Sequence, residues 1–191
     1  MVNNIFSKNV IFFDTEFSSL DINKGEILSL GLVKLNGQEL YLELDYEGEV
    51  DEWPKKNILP HLNKEKVSRD VAIKMIKQFI GNKKPYVVAY VNQFDMVYFY
   101  KLFGLDNFNK KFNWIPIDFA SMLFSHGINP DVLVNWDKDF LSNLKIDTAG
   151  LKQHNALDDA KLLREVFQKC EYVKRGNMGV YSRKFKRGKV G

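Results

Sequence analysis

Apolar positions fall in short runs along this chain, separated by polar turns. Asn9 to Phe13 (NVIFF) is apolar and stops at Asp14, which reads as a buried strand. Ile27 to Leu35 and Glu39 to Leu44 are two further strand-like runs. Asn36-Gly37 lies between them, a dipeptide favoured in two-residue β-hairpin turns, so these two strands are antiparallel. Glu47 to Lys56 is acidic and irregular. From Ser68 the period changes. Ser68 is a candidate N-cap, and Val71, Met75, Phe79 and Ile80 follow at helical spacing until Gly81-Asn82.

Pro85 precedes a fourth strand, Tyr86 to Tyr90. Gln93 to Phe103 predicts a helix closed by Gly104, residues 105–117 a loop, Asp118 to Phe124 a short helix, and Gly127 to Gln153 a loop-like stretch. Ala156 to Val173 predicts the last helix, with Leu157, Leu162, Leu163, Val166 and Phe167 on its apolar side. The order β-β-β-α-β-α-α-α predicts an α/β sandwich on a mixed sheet rather than a doubly wound parallel one.

Composition narrows the class. The 191 residues are 45% hydrophobic and 27% charged, a globular balance that excludes disordered, collagen-like and small disulfide-stapled chains. No apolar run approaches the roughly 20 residues that cross a bilayer, so no membrane partner is expected. Met1 to Val10 lacks the apolar core and cleavage site of a secretion signal. Cys170 is alone, which rules out an internal disulfide and fits a reducing cytoplasm. Tyr172 to Gly191 carries seven basic residues and no acidic one, leaving 21 basic and 24 acidic residues on 1–171, a net of −3. The expected organisation is a domain over residues 1–173 and a basic tail over 174–191. That tail fits a solvated end or a sequence-blind grip on phosphates.

Four acids and one histidine stand out. Asp14 and Glu16 lie two apart in FFDTEF, and strand alternation turns them to one face. Close carboxylates raise each other's pKa unless a cation intervenes. Alone, the pair equally fits a solvated strand edge. Asp95 falls in the first turn of the helix after the fourth strand, where an acid is often only structural. His154 and Asp159 are five apart, about 140° around a helix, so they converge only if His154 precedes the helix on the loop. Asp158 points about 100° away from Asp159, so one of the two is solvated. His61 and His126 read as surface or loop residues, Cys170 as inert core, and Tyr90, Tyr98 and Trp114 as packing residues.

In order and context, DTE at 14–16, FD at 94–95 and H-x4-D from His154 to Asp159 resemble the three motifs of the DEDDh (DnaQ-like) 3′→5′ exonucleases of the ribonuclease H-like superfamily. The resemblance runs from Val10 to Phe167. Val91 stands where the usual second motif has an Asn four residues before the Asp, and Asn92 stands three before. A narrower likeness is to the RNase AS exoribonuclease group, carried by DTEF at Asp14 to Phe17, Trp53, Ile58-Leu59-Pro60-His61-Leu62, and AYVNQFDMV from Ala89 to Val97.

The resemblance implies a ribonuclease H-like fold, with a central mixed β-sheet flanked by helices. It implies a metal-dependent hydrolase that removes nucleoside 5′-monophosphates from the 3′ end of single-stranded RNA, with adenylate-containing RNA favoured, and a homodimer. Asp14, Glu16, Asp95 and Asp159 would hold two divalent ions, Mg²⁺ or Mn²⁺, with Asp14 bridging them. His154 would be the general base, and Phe17 would stack on the terminal base. The alternatives are a DNA exonuclease of proofreading or repair type, since metals and acids contact the phosphate both polymers share, and an inert nucleic-acid-binding scaffold.

Overall fold

The computed structural model describes residues 8–174. Six strands form one mixed sheet: β1 (Val10–Phe17), β2 (Ile27–Lys34), β3 (Glu39–Leu44), β4 (Lys66–Val67), β5 (Tyr86–Ala89) and β6 (Ile117–Asp118), in the spatial order β4-β3-β2-β1-β5-β6. β2 and β3 pair antiparallel, as the hairpin signal predicts, and β1 pairs antiparallel with β2, while β3–β4, β1–β5 and β5–β6 are parallel. Helices α1 (Glu52–Asn57), α2 (Arg69–Ile80), α3 (Gln93–Phe103), α4 (Leu105–Lys111), α5 (Phe119–Ser125), α6 (Lys138–Asn143) and α7 (Ala156–Lys174) surround it.

The pleat of β1 divides the core. Ile11 and Phe13 face one way, onto Ala72 and Ile76 of α2 and Met96, Phe99 and Phe103 of α3. Val10 and Phe12 face the other, onto Phe119 of α5, Phe140 and Leu141 of α6, and Leu162, Leu163, Val166 and Phe167 of α7. Phe99 meets Phe103, Phe108 and Phe112 edge-on at 5.1–5.8 Å, the favoured geometry of aromatic pairs. The expected sandwich of helices around a mixed sheet is therefore present.

Several local readings change. β1 continues through Asp14 and Glu16 to Phe17, because its ladder with β2 runs that far. Glu52–Asn57, read as irregular, is a helix whose Pro54 sits in the first turn, where a missing N–H costs nothing. The loop-like 105–117 contains α4, held by buried Phe108, and the two-residue β6. Within 127–153 lie a 3₁₀ turn (Pro130–Leu133) and α6, whose N-cap Asp137 accepts from the Phe140 N–H at 2.8 Å. Trp114 is exposed rather than packed.

One glycine sets the distance between the sheet and α7. Gly31 lies opposite Asp14 in the β1–β2 ladder, on the face that α7 covers. A β-carbon there would overlap the Ala156 carbonyl and the Leu157 Cα. The bare backbone thus lets the start of α7 rest on β2. Gly31→Ala is expected to lower stability by about 1–3 kcal/mol or more, as overpacking does, in a denaturant titration with unchanged m-value. It should also reduce any activity that needs Asp14 and Asp159 together.

A candidate active site of clustered carboxylates

The site forms where β1 outruns its neighbour. β5 pairs with β1 only from Val10 to Phe12, so the edge of β1 beyond Phe12 is unpaired on that side. Asp95, in the first turn of α3, fills this gap. Its Oδ1 accepts from the Thr15 backbone N–H at 2.9 Å and from the Thr15 hydroxyl at 2.7 Å. A buried carboxylate thus stands in for a missing strand partner.

Asp14 and Glu16 point to the α7 face, and Asp159 comes down from the first turn of that helix. One carboxylate oxygen from each of the three lies within 4.8 Å of the other two. Asp158 is turned away: its oxygens accept from the Lys152 N–H and pair with Lys161 at 3.5 Å. Of the two neighbouring acids, Asp159 is therefore the one that joins the cluster.

The electrostatics are those of negative charge stored out of water. Burial, then the charges of Asp95, Asp159 and Glu16, hold the Asp14 carboxyl well above its usual range. Burial, then Asp159 and Asp95, pushes Glu16 up to about 8. Burial raises Asp159 to about 7 against the opposing effect of hydrogen bonds from Trp136 and from the backbone of His154. Asp95 rises only to about 6, because Thr15 donates to it twice.

This donor set suits a hard divalent cation, which prefers oxygen ligands. Asp14, Glu16 and Asp159 present three converging carboxylate oxygens, and no lysine or arginine side chain is among the groups that shift their pKa values. A divalent cation bound there would supply the counter-charge. Asp95 stands just outside the three, tied to Thr15 but felt by both Asp14 and Glu16.

His154 lies before α7, as convergence with Asp159 requires, and it takes a left-handed φ of +61°. Its ring meets the Trp53 ring edge-on, 5.0 Å between centroids. Burial, then the nearby His61, lowers its pKa. His61 is thus an exposed residue beside the site, while His126 is exposed and bonds to the Met122 carbonyl at 2.6 Å. Phe17 follows a register shift after Glu16 and lies on the opposite face of β1. It is half-buried, stacks on Tyr98 at 4.7 Å and lies 5.9 Å from Phe94. Cys170 is half-buried against the α7-side core.

Sequence reasoning passed over two residues. Trp136 donates its indole N–H to Asp159 Oδ1 at 3.0 Å, which fixes that carboxylate's rotation. It sits in a stretch without periodicity, at a φ of +48°, and nothing in the sequence singles it out. Thr15 lies between the two acids of the first motif; its role depends on α3 arriving at that edge.

The family described as Exonuclease (RNase_T) matches residues 11–167. No curated protein sequence matches the chain significantly. Among solved structures, the nuclease domain of 3′hExo, a DEDDh family member bound to rAMP, is similar at TM-score 0.54 and 10% identity, over 87% of this chain and 91% of that one. The zinc-bound complex of E. coli ExoI with single-stranded DNA is similar at TM-score 0.56 and 12% identity, over 87% of this chain and 40% of that one. The fold is thus that of ribonuclease H-like exonucleases.

The raised carboxyl pKa values give a pH dependence of stability. From the ordinary carboxylate range near pH 4 up to about 8 for Glu16, the folded chain holds more protons than the unfolded one. Stability present at low pH is therefore lost as pH rises through this window. With a chelator present, the melting temperature should fall from pH 5 to pH 8, and Mn²⁺ should raise it far more at the upper end. A flat chelated profile with no Mn²⁺ effect would contradict the charge storage described.

Proposed function

The chain belongs to the exonuclease family, and we propose that within it this protein is a two-metal-ion 3′→5′ exoribonuclease that releases nucleoside 5′-monophosphates from single-stranded RNA. The observation that carries this reading is the convergence of Asp14, Glu16 and Asp159 oxygens within 4.8 Å, with Asp95 at their side. Mg²⁺ or Mn²⁺ bound there would supply an activated water and stabilise charge on the phosphoryl and leaving oxygens. Asp14, Glu16 and Asp159 would hold the ions, with Asp95 in support.

The chain's own residues handle protons and position. His154 is the general base. A base must be unprotonated to act, and burial of the imidazole favours its neutral form at pH 7. The edge contact with Trp53 orients the ring. Trp136 fixes the rotation of Asp159, which would leave the second carboxylate oxygen free for an ion. The likeness to the RNase AS group assigns Phe17 to the terminal base, which it would have to reach from the α3 face of β1, where Tyr98 and Phe94 lie. Stacking is largely indifferent to base identity, so an adenylate preference needs further contacts.

RNA is favoured over DNA by the likeness of DTEF, Trp53 and AYVNQFDMV to the RNase AS group. That group also suggests a homodimer, and the lone cysteine suggests a cytoplasmic setting. Among the described residues no helix is long and apolar enough to cross a membrane. The basic tail over 174–191, almost all of which lies outside the described residues, is proposed as a grip on phosphates beyond the 1–173 domain.

End-labelled RNA and DNA of one sequence, each incubated with Mg²⁺ or Mn²⁺, test the polymer. RNA shortened from its 3′ end with monophosphate products is expected. Faster loss of DNA would favour the proofreading or repair type. Turnover of neither, with no Mn²⁺ binding by calorimetry, would favour the inert scaffold.

His154→Ala should lower kcat by about 10²–10⁴-fold while Mn²⁺ affinity is kept. An unaltered rate at neutral pH would remove His154 as the base.

A further inference from the structure

A groove of about 580 Å³ opens between Trp136 and α6 on one side and Gln153 on the other. Its size is that of a ligand site. We infer, on the basis of the exonuclease reading, that this groove receives the nucleotides immediately upstream of the scissile phosphate, with Lys138 and Lys145 on their phosphates.

Three observations carry it. The first is continuity. Trp136 lines the groove and donates to Asp159, and Gln153 lines it and adjoins His154. The Gln153 side-chain amide also donates to the Val134 carbonyl at 2.7 Å, so the two walls are tied together beside the carboxylates.

The second is charge. Lys138 and Lys145 are exposed, and neither forms a salt bridge among the described residues. Asp147 is the one carboxylate among the lining residues, and its Oδ1 is turned onto its own loop, accepting from the Ala149 N–H at 2.8 Å. Lys138 opens α6 and Lys145 lies just past its end. Two cations at opposite ends of a helix suit a strand with successive phosphates better than a released mononucleotide, which carries one.

The third is the backbone. Trp136 and Lys145, which line the groove, and His154, next in sequence to the lining Gln153, are three of the four non-glycine residues with left-handed φ among those described. Such conformations persist where the surroundings hold them, and they concentrate at functional sites.

The experiment compares two substrates of the wild type and of the Lys138→Ala/Lys145→Ala variant. One is a short single-stranded oligoribonucleotide. The other is the p-nitrophenyl ester of adenosine 5′-monophosphate, in which p-nitrophenol replaces the whole upstream chain. The double variant should raise KM for the oligonucleotide about tenfold and flatten its salt dependence, since two phosphate contacts are lost. KM for the ester should rise far less. Equal increases on both substrates would place the terminal nucleotide in the groove and overturn the assignment.

Fluorescence anisotropy of the labelled oligonucleotide in chelator reads binding without turnover. Unchanged affinity and salt slope in the double variant would also overturn the groove. A wild type that binds the oligonucleotide but cleaves neither substrate with Mg²⁺ or Mn²⁺ would instead overturn the exonuclease reading.

Discussion

Mutual repulsion among buried carboxylates is the constraint around which this domain is built. Asp14, Glu16 and Asp159 converge and Asp95 stands beside them; burial lifts all four above the ordinary carboxylate range, and the charges of the neighbouring acids lift Asp14 and Glu16 further. A fold selected for stability alone would separate such groups or pair them with lysine and arginine. Here the packing that forces them together comes from elsewhere: the aromatic core under α3 and the apolar face of α7. Stability of the scaffold is thus spent on a site that is unfavourable until cations arrive.

Two backbone devices bring the acids into register. The bare α-carbon of Gly31 lets α7 approach β2, which lowers Asp159 towards Asp14. The early end of β5 exposes the Thr15 N–H, which Asp95 then occupies. Neither device is chemical in itself. Each converts a feature of sheet pairing into the position of a carboxylate. Trp136 adds finer control, on the rotation of Asp159.

The strands and long helices were legible because their periods are. Ile27 to Leu35 and Glu39 to Leu44 flank an Asn-Gly turn, and α7 carries an apolar stripe over several turns. The acids were legible only as a set, since each alone has an ordinary structural use. The placement of His154 before the helix followed from angular arithmetic, and the structure agrees. α1, α4 and α6 were missed because six or seven residues are too few to display a helical period. Trp136 was missed for a different reason. Its role depends on a left-handed backbone within an aperiodic stretch, and tertiary contacts rather than local pattern decide where it points.

The cluster also joins the two ends of the domain. Asp14 lies on the first strand and Asp159 on the last helix, and α7 must dock on β1 and β2 before their oxygens can meet. In chain order α7 follows every other described element. The strand-bound half of the centre therefore stays incomplete until α7 has been made and has docked. The centre is thus complete only once the sheet and the helix most distant from β1 in sequence have docked.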